Sequence, residues 1–110
     1  MRKSRTTLLW LALLPAGAAG ATSVAPPAAL GRCAVCHGED GHARIPGAPN
    51  LAGQPEQYLL QALGAYRTGQ RKVPVMQAAV APLSAADVRA LAHWYAAQPA
   101  CPPAVQAGHP

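Results

Sequence analysis

One run of five residues restricts the chemistry of this chain more than any other feature: Cys33, Ala34, Val35, Cys36 and His37. Two cysteines at this spacing lie about one helical turn apart, so both thiols can reach the two vinyl groups of one porphyrin and form thioether bonds. The histidine that follows then offers an imidazole nitrogen to the iron as its proximal ligand. The motif predicts covalent attachment of haem through Cys33 and Cys36, with His37 on the iron.

Two other uses of a C-x-x-C pair fit the sequence less well. A structural zinc site needs four ligands, and the remaining cysteine, Cys101, lies in a proline-rich stretch with no second pair near it. A thioredoxin-type redox pair is expected beside a strand-helix-strand pattern, and the chain contains no convincing parallel strand. The haem interpretation is therefore favoured over both.

The amino terminus has the layout of a secretory signal. Three basic residues precede an apolar run over residues 8–14, and the small residues that follow end in an A-x-A cleavage site at residues 19–21. We expect residues 1–21 to be removed as a signal peptide; cleavage after Ala25 is the alternative. The mature protein should then be periplasmic or otherwise exported. An uncleaved membrane anchor is the alternative, but the apolar run is shorter than the ~20 residues that cross a bilayer.

Charge and size limit the classes of partner. The full chain has a net charge of +5, but residues 22–110 contain six basic and four acidic residues, a net charge of only +2. Two haem propionates would bring this close to neutrality, so nothing in the charge indicates nucleic acid or an anionic membrane surface as a partner. We expect one small domain over residues 22–98, followed by a proline-rich tail over residues 99–110. A chain of this size buries a limited core of its own, which a porphyrin would enlarge.

Helix-end signals and apolar periodicity together predict three helices and an all-α fold. They cover about residues 27–36, 55–69 and 84–98, and Ser84 with Asp87 forms a capping-box pattern at the start of the third. Apolar residues at i, i+3, i+4 and i+7 predict one buried face on each of the last two helices: Leu59, Ala62, Leu63 and Tyr66, then Val88, Leu91, Ala92 and Tyr95.

Several short motifs together resemble the class I cytochromes c. C-H-G-x-D-G begins at Cys36, P-x-x-P-N-L-A-G-Q covers residues 46–54, and Y-R-x-G-x-R covers residues 66–71. The chain is similar in particular to the small bacterial cytochrome c-553 and cytochrome c4 branch, over residues 31–98. The resemblance implies a class I cytochrome c fold, with three main helices and loops wrapped around one covalently bound haem c per chain.

The same resemblance implies further site residues. A methionine sulfur should bind the iron opposite the proximal histidine, and Met76, in a loop over residues 71–77, is the only methionine outside the predicted signal. The carbonyl of Pro49 should accept the other ring hydrogen of His37. Gly31 should lie where the first helix passes close to the last, under Trp94 or Tyr95. A second histidine on the iron is the alternative, and the chain offers three: His42, His93 and His109.

With both axial positions filled, the predicted role is one-electron transfer rather than catalysis, through transient contacts with donor and acceptor proteins. Two alternatives stay open: a haem-bearing subunit of a larger periplasmic oxidoreductase, and a ligand-binding or sensing haem protein. Cys101 could join two chains through a disulfide. A basic cluster could contact a propionate or a partner, or could simply be a solvated face: Arg67, Arg71 and Lys72.

Overall fold

A computed structural model describes residues 7–17 and 24–100 of the chain. The architecture is all-α, as predicted, and the described residues form four helices with no strand among them. The helices are α1 (Leu30–His37), α2 (Glu56–Arg67), α3 (Pro74–Val80) and α4 (Ala85–Ala96).

The predicted ends of the first two helices differ from the structure by a few residues. α1 begins at Leu30 rather than residue 27, because a turn comes first, in which the Leu30 amide donates to the Pro27 carbonyl at 3.0 Å. Pro55 lies just before α2 in an extended conformation, with φ −55° and ψ 130°. α2 ends at Arg67, two residues short of the expected Gly69.

Helix α3 was not predicted from the sequence, and it contains Met76. The expectation that residues 71–77 form a loop is therefore wrong for their second half. Val73 is extended, as residues before proline tend to be, and Pro74 starts the helix because its fixed φ suits the first helical turn. Since α3 has only seven residues, no hydrophobic periodicity in the sequence reveals it.

The capping box predicted for α4 is present. The Asp87 amide donates to the Ser84 hydroxyl at 3.0 Å, and the Ser84 amide donates to the Asp87 carboxylate at 2.9 Å. Two of the amides that a helix start leaves without partners are satisfied in this way.

Acid is expected to weaken this cap. The hydrogen bond from the Ser84 amide holds the pKa of the Asp87 carboxyl below its usual value. A carboxyl with a lower pKa in the folded state stabilises the fold above its unfolded pKa, and this contribution is lost as pH falls through the folded pKa. We expect the melting temperature to drop below about pH 4, and to drop less steeply in Asp87→Asn. Glu39→Gln, which removes another exposed acid, is the control; equal slopes for the two variants would contradict the role of Asp87.

The core lies between the helices and draws on all four of them. Its buried residues are Leu30, Leu59, Val80, Leu83, Leu91, Ala92 and Tyr95. α2 packs mainly against α4 and α3. The predicted buried face of α4 is confirmed, with Val88 packed against this cluster. On α2 the prediction is wrong for Ala62, which lines an outer groove with Tyr58 and Arg71, whereas Leu60 packs on the core instead.

The close helix crossing expected at Gly31 is absent. A Cβ atom built on Gly31 meets no heavy atom of another described element within 4 Å. The prediction fails because this glycine lies on the exposed side of α1, and Leu30 provides the buried contact of that turn.

The described helices are all too short or too polar to cross a membrane. The apolar side chains of residues 8–14 are exposed, each by 76% or more where they are leucine or tryptophan. This segment therefore adds nothing to the core.

Candidate haem-binding site

His37 ends α1 with its imidazole ring buried and oriented. The residue is 6% exposed, and its Nδ1 atom lies 2.8 Å from the carbonyl oxygen of Pro49. Because a carbonyl oxygen can only accept, Nδ1 carries the hydrogen and Nε2 keeps its lone pair. Within the described residues the ring makes no other hydrogen bond, so Nε2 is free to bind a metal.

The loop that presents Pro49 is held by hydrogen bonds at several points. The Arg44 amide donates to the Cys36 carbonyl at 2.8 Å, and the Leu51 amide donates to the Gly41 carbonyl at 2.7 Å. Gly41 has φ +79°, and a Cβ there would lie 2.5 Å from the Ala52 nitrogen, so only glycine fits. The loop is therefore closed on itself, and Pro49 has a defined position.

The two cysteines of the motif lie one turn apart on α1, partly buried, and both thiols are free. Burial raises the pKa of the Cys33 thiol, although the charge of Arg32 opposes this effect. Redox-active cysteines of the thioredoxin type need the opposite change, a lowered pKa that yields thiolate. In the described ranges, no group of three or more His, Cys, Asp and Glu side chains is placed to hold a metal ion, and a zinc site would require such a group.

Met76 is partly buried on α3 and packs against the same hydrophobic cluster as Cys33. Helices α1 and α3, distant in sequence, are thus brought to one core. This placement puts a thioether sulfur, a soft iron ligand, beside the apolar surroundings of the predicted attachment site.

The competing histidines are engaged elsewhere. The Nε2 atom of His42 lies 3.1 Å from the Pro99 carbonyl, and the Nδ1 atom of His93 lies 3.2 Å from a Glu56 carboxylate oxygen. The pair with Glu56 joins α4 to the start of α2 on the exposed surface. His109 and Cys101 lie outside the described residues, so the alternatives built on them stay predictions.

Two aromatic residues of α4 have a role that the sequence did not reveal. The Tyr95 hydroxyl donates to the Gly38 carbonyl at 2.9 Å, and the Trp94 Nε1 donates to the Glu39 carbonyl at 2.7 Å. Periodicity placed Tyr95 on the buried face of its helix, and both side chains do pack on the core. A hydroxyl and an indole N–H on adjacent residues were the available signal, but the acceptors are main-chain atoms that no sequence pattern identifies.

The basic cluster is only partly available for partners. A guanidinium nitrogen of Arg67 donates to the Leu83 carbonyl, so this residue ties the end of α2 to the segment before α4. The Arg71 guanidinium lies 4.7 Å from the centre of the Tyr66 ring, a cation-π contact. Lys72 is exposed.

The donor set fits a covalently bound haem. Two thiols one turn apart, a buried imidazole with one nitrogen free, and a partly buried thioether are the groups that bind such a haem and its iron. The bond from His37 to Pro49 is also the outer contact that metal-bound histidines generally make.

Comparison with known proteins shows the family to which the chain is similar. The family model for cytochrome c matches residues 18–96. Cytochrome c4 of Pseudomonas aeruginosa is 38% identical over 96 residues, covering 83% of this chain and 48% of that protein. The thiosulfate dehydrogenase electron acceptor of Thiomonas intermedia is 44% identical over 79 residues, covering 71% and 36%. Cytochrome c-554(548) of Halomonas halodenitrificans is 40% identical over 72 residues, covering 63% and 87%.

The chain spans half or less of the first two of these relatives, but most of the third. The family match covers more than half of the chain and includes the motif, the loop and all four helices. With the geometry of the site, these similarities show that the chain belongs to the cytochrome c family, as a class I c-type cytochrome similar to cytochrome c4.

Proposed function

We propose that this chain is an exported c-type cytochrome with one haem, which carries single electrons between redox proteins. Cys33 and Cys36 would hold the haem through thioether bonds. His37 and Met76 would bind the iron from opposite sides. Pro49 would orient the proximal ring. The domain would cover residues 22–98, after removal of a signal peptide over residues 1–21.

The observation that carries this proposal is the hydrogen bond from His37 to Pro49. It sets the tautomer of the ring at Nδ1, restrains its rotation, and leaves Nε2 available in a buried position. A hydrogen bond at the outer nitrogen also raises the basicity of a metal-bound imidazole. A histidine prepared in this way needs little reorganisation on binding iron.

The ligand set supports electron transfer rather than substrate chemistry. When bound, the haem supplies a one-electron couple, and a histidine and a methionine together leave no open position on its iron. The chain contributes an apolar environment and a thioether, both of which favour the ferrous state and raise the reduction potential.

Export and haem count rest on the sequence. The chain contains one C-x-x-C-H motif, which supports one haem. The exposure of the apolar side chains in residues 8–14 supports a segment that works as a signal outside the folded domain. A periplasmic location follows from the same proposal.

Protein expressed with its leader and a haem-attachment system tests these points together. Oxidised and reduced absorption spectra should show sharp ferrous c-type bands and the weak long-wavelength ferric band of iron bonded to methionine sulfur. The intact mass of the periplasmic product should equal the chain from residue 22 or 26 plus one haem. A c-type spectrum without the sulfur band would contradict ligation by Met76, and a retained leader would contradict cleavage.

A second candidate function is a haem-bearing subunit of a larger oxidoreductase. The observation that favours it is the relative whose name is thiosulfate dehydrogenase electron acceptor, which this chain matches over 71% of its own length. Purification from the native source distinguishes the two functions: a stable complex with a larger catalytic chain supports the subunit, and a free monomer supports the carrier.

A further inference from the structure

We propose that Tyr95 and Trp94 are positioning residues for the proximal ligand His37, and that they tune its hydrogen bond to Pro49. This inference rests on the proposed function, since it assigns a role to α4 in setting the environment of the iron. The two hydrogen bonds from these side chains, to the carbonyls of Gly38 and Glu39, form an α4 clamp.

The clamp holds the main chain directly after His37. Gly38 ends α1 with φ 76° and ψ 156°, a conformation that turns the chain out of the helix. Its carbonyl accepts from the Tyr95 hydroxyl at 2.9 Å, and the next carbonyl, of Glu39, accepts from Trp94 at 2.7 Å. Two adjacent donors on one helix therefore hold two adjacent carbonyls, so the chain that leaves His37 can neither shift nor rotate freely.

Tyr95 also holds the segment that follows Pro49, the acceptor of the hydrogen bond from His37. Its own carbonyl accepts from the Gly53 amide at 3.0 Å, four residues after Pro49. A Cβ on Gly53 would lie 2.7 Å from the Ala100 side chain, so this loop lies against the chain that leaves α4. One residue of α4 thus connects to the donor side, through Gly38, and to the acceptor side, through Gly53.

The burial of Tyr95 makes this connection rigid. The residue is 3% exposed, and removal of its hydroxyl would leave the buried Gly38 carbonyl with only the longer hydrogen bond from the Gly41 amide, at 3.3 Å. Burial also raises the pKa of the Tyr95 hydroxyl well above its usual value, so the group remains a donor across the working pH range. The clamp is therefore a permanent support rather than a switch.

This geometry predicts an effect on the iron. A shorter bond from Nδ1 to a carbonyl makes the imidazole a stronger electron donor, and a longer bond makes it a weaker one. If the clamp is released, the carbonyl of Pro49 and the ring of His37 are less well held and the bond lengthens on average. Less electron donation disfavours ferric iron, so the reduction potential should rise.

Tyr95→Phe in the haem-loaded protein tests the proposal, because it removes one oxygen and keeps the ring. Hydrogen exchange of the His37 Nδ1 proton, followed by NMR in the ferrous state, should accelerate roughly tenfold, the factor expected for one ordinary hydrogen bond. The reduction potential should move upward. Tyr58→Phe, at a half-exposed tyrosine on α2, is the matched control and should change neither quantity.

A purely structural role for Tyr95 gives a different result. Loss of global stability would accelerate the Leu63 amide, in the interior of α2, as much as the His37 ring proton, and would leave the potential unchanged; that outcome overturns the proposal. Trp94→Phe, at a partly buried position, is the second variant if Tyr95→Phe does not fold, and it should shift both readouts in the same directions. Failure of the proposed function appears separately, as a wild-type spectrum without the sulfur band, and leaves the proximal measurements possible.

Discussion

Replacing Met76 with leucine is expected to convert the protein from a closed electron carrier into one that binds small ligands. Leucine has nearly the same volume as methionine, so the free energy of unfolding should change by less than about 1.5 kcal/mol. The sulfur, however, is lost. The long-wavelength ferric band should disappear, and added carbon monoxide should bind the ferrous iron readily.

The reduction potential of this variant should fall as well. A thioether stabilises ferrous iron, and its removal shifts the balance toward the ferric state. We expect a drop of roughly 0.1 V or more, within the ~0.8 V range that axial ligands cover. Potentiometric titration of the purified variant gives this value directly.

Val75→Leu is the control for this experiment, because it changes the neighbouring residue of α3 at a position that is 68% exposed. It should leave both spectrum and potential as in the unmodified protein. If Met76→Leu kept the sulfur band, or if it remained closed to carbon monoxide, another side chain would be the distal ligand. His42 and His93 would then have to leave their contacts with Pro99 and Glu56.

The parts of the site that the sequence predicted are those encoded by local spacing. Cys33, Cys36 and His37 lie within five residues, so their mutual placement depends only on one helical turn. The start of α4 was equally accessible, because both partners of its capping box lie three residues apart. Periodicity likewise gave the buried face of α4.

The parts that were missed depend on contacts between distant segments. α3 has too few residues to show a period, and its helix is set by Pro74 and by packing of Val80, which is 1% exposed. The two hydrogen bonds of the α4 clamp join residues that are 55 and 57 positions apart in the sequence, and both acceptors are main-chain atoms. Every residue carries a main-chain carbonyl, so no sequence motif identifies which one accepts such a hydrogen bond.

The error at Gly31 has a related cause. A glycine in a helix indicates close approach only if another element lies over it, and the resemblance supplied that element without evidence from this chain. In the structure the positions with no room for a side chain are loop glycines instead, such as Gly38 and Gly41. Whether a glycine is required depends on backbone conformation and neighbours, which the sequence alone does not give.

Gly38→Ala is expected to be among the most damaging single substitutions in the domain. Its φ of 76° and ψ of 156° belong to a region that is essentially restricted to glycine, at a cost of about 1–3 kcal/mol for other residues. A Cβ there would also lie 2.4 Å from the His42 carbonyl oxygen, a main-chain atom that cannot simply rotate away. Together we expect a loss of about 3 kcal/mol or more, a large part of the ~5–15 kcal/mol that stabilises a typical domain.

Denaturant titration of the haem-loaded protein measures this loss, and two glycines separate its causes. Gly47 also has a positive φ, +84°, but a Cβ there would meet no atom within 4 Å. The stability loss of Gly47→Ala should therefore show the conformational cost alone. Gly64→Ala, inside α2 with open space around it, should instead stabilise the protein by about 0.5–1 kcal/mol. Gly38 directly follows His37 and carries the carbonyl that Tyr95 holds, so a shift of Gly38 away from His42 would move the ring or weaken the clamp. Gly38→Ala should therefore disturb the potential as well as the stability, and a loss no greater than that of Gly47→Ala would show that the main chain beside His37 yields easily.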